Sequence, residues 1–237
     1  MPLISCWSAK GGSGTSVVAA TVAVVLARRP AGALLVDLCG DQPALLGLRE
    51  PPAPGVADWI VRGAQAPPDA LGRLEVDVAD GLRLLPRGSW DGPPSGDVDA
   101  QLAVLGPLLA ADRRVVVVDA GRLVGPGDGP PPSSACAAAA LTAAATTSLL
   151  VTGPCYLALR RAVAVGIRPH GVVVVGERWR ALQSDDVANV VGAPVLAEVA
   201  VDPAVARVVD AGLLVSRLPR VLERAVAVLP GVVDATR

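Results

Sequence analysis

Apolar residues gather in short continuous runs along the chain. "LISCW" (3–7), "ALLVDL" (33–38), "GLRLLP" (81–86), "RVVVVDA" (114–120), "SLLVT" (148–152), "GVVVV" (171–175) and "PVLAEV" (194–199) each read as a strand. None alternates apolar with polar, so these strands are expected to be covered on both faces. Between them the pattern predicts helices near 15–29, 97–112, 134–146, 156–166 and 184–191, with two more near 203–212 and 217–229. The first helix is closed by Arg28, Arg29 and Pro30. Strand and helix in turn imply right-handed crossovers. The expected fold class is α/β, a doubly wound, mostly parallel sheet flanked by helices, with residues 1–237 as a single domain.

Two segments rich in proline and glycine interrupt this order, "PRGSWDGPPSGD" (86–97) and "GRLVGPGDGPPPSS" (121–134). Each follows a strand, so each is expected at the carboxyl edge of the sheet, where ligands bind in such folds. A mobile surface loop is the ordinary alternative. The "GPGDGP" within the second is no dinucleotide fingerprint, because its prolines lack the amides that would hold phosphate.

Composition narrows the picture. Hydrophobic residues make up 52% of the 237, with no Phe, four Trp and one Tyr, so the core is built from small aliphatic side chains. A net charge of −1 gives no general pull toward nucleic acid or anionic lipid, although a local arginine patch could still act. Arg217, Arg220 and Arg224 are spaced for one face of the last predicted helix, either as a DNA-binding patch or as a solvated face. The cysteines (Cys6, Cys39, Cys136, Cys155) have no metal-binding spacing and read as structural thiols; a redox or metal role for Cys39 and Cys155 is the alternative. No charged stretch precedes an apolar run at the start, and no run reaches the roughly 18–20 residues of a membrane span. A soluble cytoplasmic protein is expected.

The most informative segment is "SAKGGSGTS" (8–16), between the first strand and the first helix. Lys10 is the only lysine in the chain. Gly11, Gly12 and Gly14 let successive N–H groups turn inward toward an anion, and the helix end adds its dipole. Ser16 stands where a hydroxyl ligand for Mg²⁺ belongs. A glycine-rich turn without a ligand is the alternative. The phosphate-loop pattern GxxxxGK[ST] is broken at both ends, by Ala9 at its first glycine and Thr15 at its lysine.

"SAKGGSGTS" resembles the deviant Walker A loop, KGGxGK[ST], of the ParA/MinD family of P-loop ATPases, with Lys10 on that family's early lysine. The resemblance continues along the chain. "ALLVDLCGDQPALLGL" is similar to the family's second-strand aspartate segment, "GVADWI" to the short helix after it, and "GLRLLPRG" to the strand ending in Leu-Pro. "RVVVVDAG" resembles Walker B, with Asp119 on its acidic position. "LLVTGPCYLALRRA" and "VAVDPAVARVVDAGLLV" resemble later segments. It implies a site that binds ATP or ADP with Mg²⁺. Lys10, Gly11, Gly12, Ser13, Gly14, Thr15 and Ser16 would hold phosphate, Ser16 and Asp119 the metal, and Lys10, Asp37 and Asp119 would serve catalysis. Lys10 would reach across a nucleotide-sandwich homodimer to the partner's phosphates. The plainer reading of Asp37 and Asp119 is that each caps a strand end.

Three departures bear on chemistry. Thr15 removes a phosphate-neutralising charge, Cys39 replaces the second aspartate of a D-x-D pair, and Gly176 stands where the family commonly has an adenine-reading asparagine. Asp41 could substitute for the missing aspartate if its loop bends. Because phosphoryl transfer depends on positioning and charge, weak or absent hydrolysis is expected, with binding through backbone amides retained. Loss of the second lysine, together with "GDQPALLGL" and "PGVADWI", also resembles the CpaE/TadZ-like branch, which positions pilus or secretion machinery. That implies a partner machine and polar or septal recruitment. A partition or septum-site-determining ATPase and a nucleotide-free scaffold are the alternatives.

Overall fold

Leu3 to Ser8 are all buried, and this run forms the centre of the sheet. The computed structural model describes residues 2–48, 54–62, 69–90, 98–125, 132–177 and 179–229. Among these the strands are β1 (Leu3–Ser8), β2 (Ala33–Asp37), β3 (Val76–Ala79), β4 (Leu82–Leu85), β5 (Val115–Arg122), β6 (Thr147–Thr152), β7 (Gly171–Gly176) and β8 (Val195–Ala200). They form one sheet in the order β3-β4-β2-β5-β1-β6-β7-β8, parallel except for the antiparallel β3–β4 pair. The helices are α1 (Thr15–Ala27), α2 (Gln42–Leu45), α3 (Val56–Arg62), α4 (Ala70–Arg73), α5 (Val98–Ala110), α6 (Ser133–Ala144), α7 (Tyr156–Val165), α8 (Ser184–Val191), α9 (Pro203–Asp210) and α10 (Arg220–Val226).

The sheet separates two apolar layers. On one side α1 and α10 pack Val18, Val22, Leu26, Leu222 and Val226 against Ile4, Leu35, Val117 and Val173. On the other, α3, α5, α6 and α7 pack Trp59, Leu105, Leu141 and Leu159 against Trp7, Val36, Val118 and Leu150. Burial on both faces is what the continuous Val/Leu runs require. Two pairs of buried polar side chains meet within this core: Trp7 Nε1 donates to Ser148 Oγ at 2.8 Å, and the Ser5 and Thr142 hydroxyls lie 2.8 Å apart.

Three expectations need correction. The sheet has an additional edge strand, β3, whose burial alternates and which a search for continuous apolar runs passes over. β5 extends through Gly121 and Arg122, so the second Pro/Gly segment begins inside a strand. The last helix starts at Arg220 after Pro219, and Arg217 lies in the preceding turn with its N–H bonded to the Leu213 carbonyl at 2.8 Å. Proline has no N–H to continue a helical ladder, so the three arginines do not share one helical face. Positions 91–97 and 126–131 of the Pro/Gly segments, including most of "GPGDGP", lie outside the described residues. Among the described residues no helix is long and apolar enough to cross a membrane.

Candidate functional site

β1 lies between β5 and β6, so the chain leaves its carboxyl end where the strand order reverses. A crevice at that point is the ordinary ligand position in open α/β sheets. The segment from Ala9 to Gly14 fills it and leads into α1. Gly12 (φ 76°) and Gly14 (φ 81°) take left-handed conformations that side-chain-bearing residues resist. Ser13 Oγ donates to the Lys10 carbonyl at 2.7 Å and closes the turn. Gly14 is the N-cap of α1, with no side-chain cap and no acidic residue in the first turn. The positive end of a 13-residue helix is therefore left to whatever enters the loop.

The loop borders a cavity of about 600 Å³ lined by Gly11 to Val17, with Cys39, Asp41, Gly121, Arg122 and Asp210 among its other walls. Thr15, at the first helical position, is only 6% exposed but contributes to the lining. Ser16 Oγ lies 3.5 Å from Asp41 Oδ2. The loop after β2 does bend to bring Asp41 to the cavity. Lys10 is half-buried and is not among the residues that line it.

Beneath the cavity two aspartates sit on neighbouring strands, Asp37 paired with Asp119 in the β2–β5 register, and both are fully buried. Asp37 organises the loop that follows it. Its Oδ1 accepts the N–H groups of Cys39 (2.8 Å) and Gly40 (2.7 Å), and its Oδ2 accepts that of Gln42 (3.2 Å). Burial pushes its pKa up to about 6; the Gly40 N–H works against this and the neighbouring Asp119 adds to it. Asp119 Oδ2 accepts from Gln42 Nε2 at 2.8 Å and its Oδ1 from the Gly121 N–H at 3.2 Å. Burial also raises the Asp119 carboxyl, offset by hydrogen bonds from Gln42, Ser16 and Gly121.

Cys39 has a physical reason to be where an aspartate was expected. Its Sγ lies against Gly121, 2.1 Å from where a β-carbon at that position would be, and 3.7 Å from Asp119 Oδ1. A carboxylate here would be a third buried acid beside Asp37 and Asp119. A thiol stays neutral, held far above its usual range by burial and then by the charges of Asp119, Asp37 and Asp41. Gly176 has a similar constraint, since a β-carbon there would lie 2.7 Å from Cδ of Pro154. The Pro154 ring fills the space that a side chain would need.

The structure thus gathers Gly11 to Ser16 and Asp41 around one cavity, with Asp37 and Asp119 buried below it and Lys10 outside its lining. Sequence reasoning missed Gln42 and Arg122. Gln42 Nε2 ties the Ser16 carbonyl (3.0 Å) to Asp119, while its Oε1 is buried without a hydrogen-bond partner among the described residues. The signal was available in "GDQ", whose polar residues lie in the loop just past the end of β2. Arg122 had no such signal, since it sat in what read as a loop.

The fold is α/β, a mostly parallel sheet flanked by helices, with a glycine loop at the point where the strand order reverses. No family model matches the chain, and no curated protein matches it. Solved structures do. A ParA family ATPase from Chlorobium tepidum superimposes with a TM-score of 0.70 at 18% identity, covering 99% of this chain and 97% of that one. MinD in a MinC:MinD cell division complex from Aquifex aeolicus gives 0.74 at 18%, over 98% and 96%. The septum site-determining protein MinD from Pyrococcus horikoshii, complexed with Mg-ADP, gives 0.69 at 18%, over 98% and 96%. The chain has the fold of the ParA and MinD proteins.

Proposed function

We propose that the chain is a ParA/MinD-type nucleotide-binding protein that takes ATP or ADP with Mg²⁺ and hydrolyses ATP slowly or not at all. The observation that carries this reading is the uncapped amino end of α1, opening with the glycine loop onto a cavity of about 600 Å³. That volume is of small-ligand size. The donor set suits the metal. Ser16 and Asp41 offer hard oxygen atoms 3.5 Å apart, Asp119 lies below, and the orphaned Gln42 Oε1 leaves acceptor capacity beside them. Bound there, Mg²⁺ would neutralise phosphate charge. Ser16 and Asp41 would hold it, and Asp119 would orient its water shell.

The backbone amides of residues 11–16 bind phosphate without help from side-chain charge, so Thr15 does not abolish the site. Turnover is another matter. Thr15 supplies no charge to a transferring phosphoryl group, and Cys39 supplies a neutral thiol where a carboxylate would orient water. Asp37, Asp119 and Lys10 remain as candidate catalytic groups, with Lys10 serving a partner's nucleotide across a homodimer. Residues 1–237 act as one unit in this reading, and the nucleotide-gated dimer recruits a protein machine of the pilus or secretion type. The DNA-matrix alternative is weaker, because Arg217 does not share a helical face with Arg220 and Arg224.

Calorimetry with ATP and Mg²⁺ on the purified protein tests the binding claim, with Lys10→Ala and light scattering testing the dimer. Micromolar binding with turnover far below one per second is expected. No heat with ATP or ADP would overturn nucleotide binding and favour a scaffold.

A further inference from the structure

We propose that Arg87 is a positioning residue of the nucleotide site: from the end of β4 it fixes the loop after β2, and through that loop it holds Asp41 against Ser16. The inference rests on the nucleotide-binding reading above.

Residues 38–41 join β2 to α2 outside any helix or strand, and Gly40 takes φ 94° to make the bend. Asp37 gathers the N–H groups of this loop, taking those of Cys39 and Gly40 on Oδ1 and that of Gln42 on Oδ2. The Cys39 carbonyl accepts from Arg87 Nη1 at 2.9 Å. That carbonyl and the Gly40 N–H are the two ends of one planar peptide group and point in opposite directions. The peptide is therefore gripped from both sides, by a guanidinium on its oxygen and by a buried carboxylate 2.7 Å from its nitrogen. Hydrogen bonds in such a chain polarise one another, and those made by a charged group are stronger than neutral ones. The absence of a side chain on Gly40 makes room for this grip. A β-carbon there would lie 3.3 Å from Arg87 Nη1 and 3.5 Å from its Cδ and Cζ.

Arg87 is in turn fastened through its backbone. Its carbonyl accepts the Ala57 N–H at 2.9 Å, and the Pro86 carbonyl accepts that of Val56 at 2.9 Å. Asp58 Oδ2 ties the same two segments, accepting the N–H groups of Gly55 (2.8 Å) and Ser89 (3.0 Å). The turn after β4 is thus locked to the amino end of α3, and the guanidinium projects from a fixed base. Arg87 is half-buried and makes no ion pair among the described residues. Apart from a longer contact of Nε with the Gly88 carbonyl at 3.5 Å, its hydrogen bonding is spent on the loop.

Cys39 and Asp41 both line the cavity, and Arg87 does not. Arg87 therefore acts on the site only through the loop. The peptide it holds is the one immediately before Asp41, whose Oδ2 lies 3.5 Å from Ser16 Oγ. Releasing that peptide displaces the Asp41 carboxylate from the metal position. The amides of residues 11–16 belong to another segment and stay in place. Arg87 thus serves the Mg²⁺-binding half of the site and leaves the phosphate-binding half alone.

Isothermal calorimetry with ATP, in Mg²⁺ and in EDTA, on wild type, Arg87→Met and Arg87→Lys tests this. Loss of the charge-assisted bond should weaken ATP binding about tenfold in Mg²⁺ for Arg87→Met, with affinity in EDTA equal to wild type. Arg87→Lys, which still donates to a carbonyl, should recover most of that loss. If Arg87→Met does not fold, Arg87→Gln removes the charge and is read in the same way. Wild-type affinity in Mg²⁺ for the variant without the charge overturns the inference and leaves nucleotide binding standing. Equal losses in Mg²⁺ and in EDTA also overturn it, by showing that Arg87 supports the fold at large. Absence of binding in wild type overturns the nucleotide reading itself, and the inference with it.

Discussion

β5 carries charge at both ends and handles it in opposite ways. Just before the strand, the Arg114 guanidinium is held by Glu75 (Nη1 and Nη2 at 2.7 and 2.8 Å) and by Asp112 (2.6 Å), and Arg83 shares Glu75 at 3.3 Å. The hydrogen bonds that Arg114 donates to Glu75 and Asp112 hold its charge firmly in place. Near the other end, Asp119 and its neighbour Asp37 are fully buried and make no ion pair among the described residues. Their partners are backbone N–H groups, a glutamine amide and a hydroxyl, and burial pushes both carboxyls up. Charge that the chain pairs with itself is architecture. Charge buried against neutral partners beside an open cavity is what the proposed function assigns to a cation from outside.

Breaking the paired end should have the largest effect, on stability alone. Glu75→Ala strands Arg114 and Arg83 without their shared carboxylate and should cost about 3 kcal/mol in urea unfolding. ATP affinity should be unchanged. A fall in affinity would mean that the two ends of β5 are coupled, and the contrast would fail.

The unpaired end should show itself through pH. Folded Asp37 keeps its proton up to about 6, against an ordinary 3.8. Between these values the folded state binds more protons than the unfolded one. The stability from this group is therefore full below the ordinary value and lost as pH rises through 6, a change on the order of 3 kcal/mol. Urea unfolding of the ligand-free protein from pH 4 to 7.5 should show wild type declining relative to Asp37→Asn, and Mg²⁺ with ATP should restore it most at the high end. A pH-independent difference between the two proteins would remove the distinction.

Thr15→Lys should have the smallest effect. Adding a cation to the cavity should tighten ATP binding about tenfold in calorimetry. Unaltered affinity would mean that the cavity already has all the positive charge a nucleotide can use.

The architecture was readable because both-face burial leaves a strong mark. Runs such as "VVVV" at 115–118 and 172–175 can persist only where water reaches neither face, and helices must then cover both. The phosphate loop was readable because Gly12 and Gly14 are needed by their own backbone angles, a local requirement. β3 escaped because an edge strand with one exposed face needs few apolar residues. The last helix was drawn too long because its charge spacing outweighed Pro219, whose missing N–H sets the true start.

Residue identity along the chain was thus sufficient for the seven core strands and most of the helices between them, the position of the glycine loop and the absence of lysine at Thr15, since each depends on neighbours a few residues away. The partnership of Cys39 with Gly121, the stacking of Asp37 against Asp119 and the approach of Asp41 to Ser16 were decided only by tertiary structure. Each joins segments 25 to 82 positions apart, and their meeting depends on strand register and on one inserted residue in β5, neither of which leaves a periodic trace in the sequence.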